Sequence, residues 1–125
     1  MNLPENLRYT KEHEWVKLDG DIATIGITDF AQSELGDIVY VEIETLDQAL
    51  AAGEIFGTVE AVKTVSDLYL PVSGTVIEIN SGLNDAPEKV NTDPYGEGWM
   101  IKLKVDNTAD VDALLDAAGY QDVIG

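Results

Sequence analysis

Cysteine is absent from this 125-residue chain, histidine occurs once, and lysine and arginine together number seven. Each scarcity closes off a class of chemistry. Without cysteine there is no disulfide, no thiol nucleophile and no thiolate metal site, so any redox step has to arrive on a cofactor. His13, with no second histidine or cysteine, makes a poor metal ligand set, and a structural role in a loop is the expectation for it. No catalytic residue and no metal ligand of the chain's own is expected. Seven basic residues against 24 acidic ones give a formal net charge of -17. A field of that sign repels phosphate backbones and anionic membrane surfaces, which argues against nucleic-acid and membrane partners. It favours solubility and steering towards basic protein faces. No apolar run approaches the roughly 18 residues of a membrane helix. The opening residues 1–8 show neither a basic n-region with an apolar core nor an Arg-rich amphipathic pattern, so a cytoplasmic setting is expected.

What is present reads as several short strands and two helices. The length suits one domain, residues 1–125, with a real core. Leu7 and Tyr9 begin a short edge strand. Asp19-Gly20 marks a turn between Trp15 to Leu18 and Ile22 to Ile27, with Leu18 opposite Asp21 or Ile22. Gly26 inside the second strand signals a close backbone approach or a bulge. Thr28 to Gly36 reads as a two-turn helix, with Asp29 as N-cap, Gln32 completing a capping box and Gly36 as the stop. Ile38 to Ile43 is apolar on both faces, as in a well-buried strand, and Thr45 to Gly53 has room for a helical turn. A further turn is expected near Pro87 to Val90. Trp99, Ile101, Leu103 and Val105 alternate against Met100, Lys102 and Lys104. Val111, Leu114, Leu115 and Ala118 fall at i, i+3, i+4 and i+7, predicting a C-terminal helix over 109–118, stopped by Gly119 and packed across the sheets.

The most distinctive stretch surrounds Lys63. Ile55, Gly57, Val59 and Ala61 share one parity while Glu54, Thr58 and Glu60 take the other, the period-two pattern of a half-buried strand. Thr64 to Leu70 reads as a second strand, which places the reversal at Val62-Lys63. A lysine at a hairpin tip is ordinarily a solvated charge. Here it is flanked by apolar valines in a chain otherwise crowded with acids, and exposed apolar residues beside a reactive group often serve recognition.

The run Val59-Glu60-Ala61-Val62-Lys63-Thr64-Val65-Ser66-Asp67, followed by Leu70-Pro71-Val72-Ser73-Gly74, closely resembles the lipoylation site of the H proteins of the glycine cleavage system. His13-Glu14-Trp15, Gly26-Ile27-Thr28-Asp29-Phe30-Ala31-Gln32 with Leu35-Gly36-Asp37, and Val90-Asn91-Thr92-Asp93-Pro94-Tyr95-Gly96-Glu97-Gly98-Trp99-Met100 resemble the same family in the same order. Four ordered motifs spanning nearly the whole chain are far more specific than one lysine hairpin.

The resemblance implies a mainly β fold, the flattened lipoyl or biotinyl barrel-sandwich hybrid, with a modified lysine at one hairpin tip. It implies lipoate attached covalently to Lys63 and a carrier role without catalysis of its own. The implied partners are a pyridoxal-phosphate glycine decarboxylase, a folate-dependent aminomethyltransferase, a flavin dihydrolipoyl dehydrogenase and the lipoyl-attaching enzymes. A monomer is expected. The loaded arm is implied to fold back into a water-excluding cleft, where Glu14 and Asp67 are the matching acids and either could receive an ammonium through a charge-assisted hydrogen bond. Glu60, Val62 and Thr64 are candidates for recognition around the lysine. Glu12 stands where the family often has a small hydroxyl residue, and the 45–53 connector lacks the family's usual Pro and Gly.

Four other readings compete. Biotinyl carriers usually have methionines beside the lysine, where this chain has Val62 and Thr64. Lipoyl domains of 2-oxo-acid dehydrogenases are shorter and lack the His13-Glu14-Trp15 motif and the terminal helix. A lipoate relay that serves other enzymes and, from a different class, an unmodified acidic binding module complete the set.

Overall fold

The computed structural model describes residues 2–125. Nine strands are present among them: β1 Arg8–Tyr9, β2 Glu14–Asp19, β3 Ile22–Ile27, β4 Ile38–Glu42, β5 Ala49–Leu50, β6 Ile55–Ala61, β7 Val65–Tyr69, β8 Gly74–Ile79 and β9 Ile101–Val105. Five short helices join them: α1 Asp29–Leu35, α2 Gly82–Asp85, α3 Lys89–Thr92, α4 Ala109–Asp112 and α5 Ala117–Ile124. One sheet runs β1-β2-β3-β9-β8-β5 and the other β4-β6-β7, with every pairing antiparallel. The inward side chains of both sheets meet in one core: Ala23, Ile25 and Leu103 from the larger, Val41, Val59 and Leu68 from the smaller. This is the flattened barrel-sandwich architecture. No helix among the described residues is long and apolar enough to cross a membrane.

A second apolar cluster closes one end. Tyr9, Trp15 and Tyr120 are all but fully buried, with Leu7 beside them and Leu115, Tyr95 and Trp99 packed around. Tyr9 and Tyr120 stack, ring centroids 4.9 Å apart and planes 8° from parallel. Gly26 is fixed by this cluster, because a Cβ there would lie 2.8 Å from the Trp15 indole nitrogen. The absent side chain makes room for the indole, whose N–H donates to the Pro94 carbonyl at 2.9 Å.

Several local expectations are corrected. In the first hairpin Asp19 pairs with Ile22 and Leu18 with Ala23, so the turn residues are Gly20 and Asp21, and Gly20 takes the left-handed φ of 65°. The N-cap of α1 is Thr28 instead of Asp29: its hydroxyl accepts from the Ala31 N–H, while Asp29 receives the Gln32 side chain at 2.8 Å. Gly36 ends the helix as expected, with φ 80°. Strand β4 is an edge strand with a bulge between Ile38 and Tyr40, which leaves Val39 and Tyr40 exposed instead of buried. A bulge between Ile55 and Gly57 likewise turns Phe56 inward and Ile55 outward, breaking the simple alternation of β6.

The 45–53 connector forms turns and β5 instead of a helical turn. Two short helices, α2 and α3, occupy the segment where one turn was expected. Met100, expected on the wet face beside β9, is fully buried. The single helix expected over 109–118 is two. After α4 the chain straightens, Leu115 exchanges backbone hydrogen bonds with Tyr9, and Asp116 caps a new helix by accepting from the Gly119 N–H at 2.7 Å. Gly119 therefore lies inside the first turn of α5 instead of ending a helix.

Candidate functional site

The β6–β7 hairpin turns tightly at its tip, where the Ala61 N–H donates to the Thr64 carbonyl at 2.8 Å. The Val62 N–H reaches back to the Asp37 carbonyl at 3.0 Å, tying the turn to the segment that follows α1. Lys63 stands exposed at this reversal. Its stem runs beside the end of α1: a side chain at Gly36 would begin 3.6 Å from the Lys63 Cε and 4.0 Å from its Nζ. Glycine at the helix stop thus serves both the left-handed φ and the passage of the lysine. Three ion pairs occur among the described residues, Lys89 with Glu97, Lys102 with Glu78 and Lys104 with Asp21, and Lys63 belongs to none of them.

The valines at the tip are open to solvent. Val62 is 74% exposed and Val65 59%, and Thr64 is exposed as well. Cross-strand register puts Tyr40 opposite Glu60 and Glu60 opposite Val65. Glu60 therefore sits between two exposed apolar side chains on the outer face of the three-stranded sheet. Sequence reasoning singled out Glu60, Val62 and Thr64. It missed Tyr40 because the β4 bulge that exposes this side chain leaves no mark in the apolar pattern.

Beside the tip lies a cavity of about 280 Å³, walled by Ile27, Ala31, Leu35, Val59 and Leu68 and bordered by Glu12, His13, Glu14, Glu34 and Asp67. Leu35 immediately precedes Gly36, so the cavity rim meets the lysine stem. Glu14 and Asp67 both line it, at different depths. Asp67 is exposed on β7, opposite Thr58, whereas Glu14 is 2% exposed. One Glu14 oxygen accepts from the Thr10 hydroxyl at 2.6 Å. Burial pushes the Glu14 carboxyl up to about 7, against the hydrogen bonds from Thr10 and the Tyr69 backbone that favour its charge. Near neutrality it is a poised acid, at little cost ready to ionise for a cation placed against it.

A larger cavity of about 630 Å³ also touches Glu12 and Glu14, but it opens towards Leu70, Pro71 and Leu114, at the end of β7 remote from Lys63. Position relative to the lysine favours the smaller cavity.

Loop 10–14 is organised by Thr10, a residue the sequence reading passed over. Its hydroxyl oxygen accepts from the backbone N–H groups of Glu12 and Glu14, each at 3.2 Å, while its proton goes to the Glu14 carboxylate. A threonine four residues ahead of a glutamate is a common pattern, and only the folded loop makes it a partner. His13, within the same loop, has the left-handed φ of 70°. Its imidazole meets the Tyr120 hydroxyl at 2.8 Å and lies 5.0 Å from the Phe30 ring. No group of three or more histidine and carboxylate side chains suited to a metal ion occurs among the described residues.

A lipoyl arm is long, mostly hydrocarbon and attached to a lysine nitrogen. An exposed, unpaired lysine beside a largely apolar cavity that the buried Glu14 helps to line fits such a group and, when loaded, its terminal ammonium.

Comparison with known proteins identifies the family. The model of the family described as Glycine cleavage H-protein matches residues 7–125. A Bacteroides fragilis protein named Glycine cleavage system H protein is 60% identical over 124 residues, covering 99% of this chain and 98% of its own length. A protein of the same name from Chlorobium phaeovibrioides is 63% identical over 127 aligned positions, covering 100% and 99%. The crystal structure of a glycine cleavage system H protein from Mycobacterium marinum matches with a TM-score of 0.87 at 38% identity, covering 96% of this chain and 97% of that one.

Proposed function

The chain belongs to the glycine cleavage H-protein family, the carrier component of the glycine cleavage system, and from that premise we propose that it carries the aminomethyl group of glycine on a lipoyl arm attached at Lys63. The arm would visit glycine decarboxylase, aminomethyltransferase and dihydrolipoyl dehydrogenase in turn. When bound, the lipoyl dithiolane supplies the redox-active disulfide that takes up the aminomethyl group, chemistry this cysteine-free chain lacks. The partner enzymes catalyse; the chain presents and stores. We read residues 1–125 as one carrier domain acting as a monomer, and the bacterial source of its similar proteins supports a cytoplasmic setting.

One observation carries the reading: an exposed, unpaired lysine whose stem runs beside α1, next to a cavity lined in part by the buried Glu14. The residues divide the work. The hairpin turn fixes where the arm begins. Ile27, Ala31, Leu35, Val59 and Leu68 exclude water from its folded-back length, which slows hydrolysis of the cargo. Glu14, ionised, receives the terminal ammonium in a charge-assisted hydrogen bond, and Asp67 adds negative potential at the rim. Glu60, Val62 and Thr64, with Tyr40 and Val65 beside them, form the surface read by lipoyl-attaching enzymes.

Protein made in a lipoate-competent host should show one lipoyl adduct by intact mass, and Lys63→Arg should abolish it. Mixed with glycine decarboxylase, the lipoylated protein should gain the mass of an aminomethyl group only when glycine is present. A modified chain that never loads would assign it to lipoate relay; an unmodified chain that still supports its pathway would remove the carrier reading.

A further inference from the structure

Tyr120 lies on α5, far in sequence from the arm site, yet its hydroxyl is shared between His13, which lines the arm cavity, and Thr28, which caps α1 beside it. It meets His13 Nδ1 at 2.8 Å and the Thr28 hydroxyl at 2.8 Å. The ring is fully buried and stacked on Tyr9, and Leu115 is bonded to Tyr9 in both directions, so the hydroxyl is delivered from a rigid base. His13 is held from its backbone as well: its carbonyl accepts from the Thr28 N–H at 3.0 Å and its N–H donates to the Thr10 carbonyl at 3.1 Å. These bonds offset a left-handed conformation that histidine rarely adopts unaided.

The proton directions follow from donor counting. The Thr28 hydroxyl oxygen accepts the Ala31 N–H as helix cap, and the Tyr120 oxygen is the acceptor within reach of its proton, so this buried hydroxyl is fully satisfied when it donates to Tyr120. The Tyr120 proton then goes to His13 Nδ1, and the imidazole proton resides on Nε2. That nitrogen has no partner among the described residues, and no buried side-chain nitrogen or oxygen among them is left unpaired. Nε2 is therefore accessible, on a residue that lines the 280 Å³ cavity.

We propose that His13, set by Tyr120, presents an Nε2–H donor to the arm cavity and hydrogen-bonds an acceptor atom of the folded-back arm, its sulfur or its amide oxygen, with Tyr120 as the positioning residue. The inference deepens the carrier reading and rests on it. The carboxylates take the cationic end of the loaded arm, and the imidazole adds a donor for the remaining atoms beside the Ser66 hydroxyl, which leans on the Asp67 carbonyl at 3.4 Å. Burial lowers the His13 pKa below its ordinary value and outweighs Glu12 and Glu34, which raise it. Glu14 and Asp67 line the same cavity, and the Tyr120 hydroxyl meets the imidazole directly. A neutral ring suits a pocket that must hold an ammonium.

The test uses the full chain and reads the imidazole directly. In the unlipoylated protein, long-range proton–nitrogen NMR should find the Nε2–H tautomer for His13, and Tyr120→Phe, which keeps the ring, should give a tautomer mixture. In the lipoylated protein, loading should shift the His13 Nε2 resonance. His13→Asn keeps an amide near the Nδ1 position and tolerates positive φ, but removes the imidazole donor. It should leave lipoylation at Lys63 intact and hasten cargo release about two- to tenfold, the range of one lost hydrogen bond. An Nδ1–H tautomer in the parent chain, or His13 resonances unmoved by loading, would overturn the proposal. Failure of the parent chain to load at all would instead overturn the carrier reading, and the tautomer measurement does not depend on it.

Discussion

At the tip of the β6–β7 hairpin, one backbone bond closes the turn and the apolar side chains face solvent. At the closed end of the barrel, Tyr9, Trp15 and Tyr120 exclude water and their polar atoms are all bonded to Pro4, Pro94, His13 and Thr28. The first region has little to lose from substitution and all of the attachment chemistry. The second has no chemistry and holds the loop that places Glu14. A carrier benefits from this separation, because the group that enters partner active sites is decoupled from the frame that stores its cargo.

Truncation should break the contrast most sharply at Trp15. Trp15→Ala removes the largest fully buried side chain and leaves the Pro94 carbonyl without its donor. A loss of about 3–5 kcal/mol is expected in urea unfolding, against less than about 0.5 kcal/mol for Lys63→Arg. Equal losses at the two positions would show that tip and frame are not separable.

Glu14→Gln addresses the frame's one poised charge. The Glu14 carboxyl titrates near 7 in the folded chain against 4.5 ordinarily, so between those values the folded state binds more protons than the unfolded. Stability of the parent protein should therefore fall as pH rises from 4.5 to 7 and then level off, by roughly 3 kcal/mol from this group. The glutamine variant should lack that component, so that its advantage over the parent grows across the window. A constant difference between the two would place Glu14 in a wetter environment than the fold indicates. Retention of an ammonium cargo runs the other way, strengthening as pH rises through about 7 and Glu14 ionises.

The smallest stability effect belongs at the tip. Val62→Ser should change unfolding free energy by less than about 0.5 kcal/mol while slowing lipoylation of Lys63 several-fold, measured by mass against time. Unchanged lipoylation would remove Val62 from the recognition surface.

The same contrast separates what was legible in the sequence from what was not. The hairpin reversal at Val62-Lys63 was readable because two apolar strands flank it and the period-two pattern carries through Val59 and Ala61 to the turn. Gly26 signalled a close approach, and the partner proved to be Trp15. Phe56, Val39 and Tyr40 escaped, because a bulge shifts parity by one residue without changing composition. The C-terminal helix was misplaced for another reason. The spacing of Val111, Leu114, Leu115 and Ala118 is helical, but the pairing of Leu115 with Tyr9 straightens the chain there. Asp116 three residues before Gly119 was the available sign of a second helix start. Glu14 and Asp67 were named from family resemblance; the fold adds that one is buried and the other sits at the rim. The couplings of Thr10 to Glu14 and of Tyr120 to His13 depend on tertiary approach across 4 and 107 positions, and no local pattern encodes them.

The most direct measurement is the rate at which the aminomethyl group is lost from the loaded, lipoylated protein at pH 8, compared between the parent chain and Glu14→Ala. If the cavity stores the cargo against Glu14, the parent should hold it about tenfold longer or more, as expected for a charge-assisted hydrogen bond worth at least about 1.5 kcal/mol. Equal release rates would return Glu14 to the protein's many ordinary acids and contradict the account.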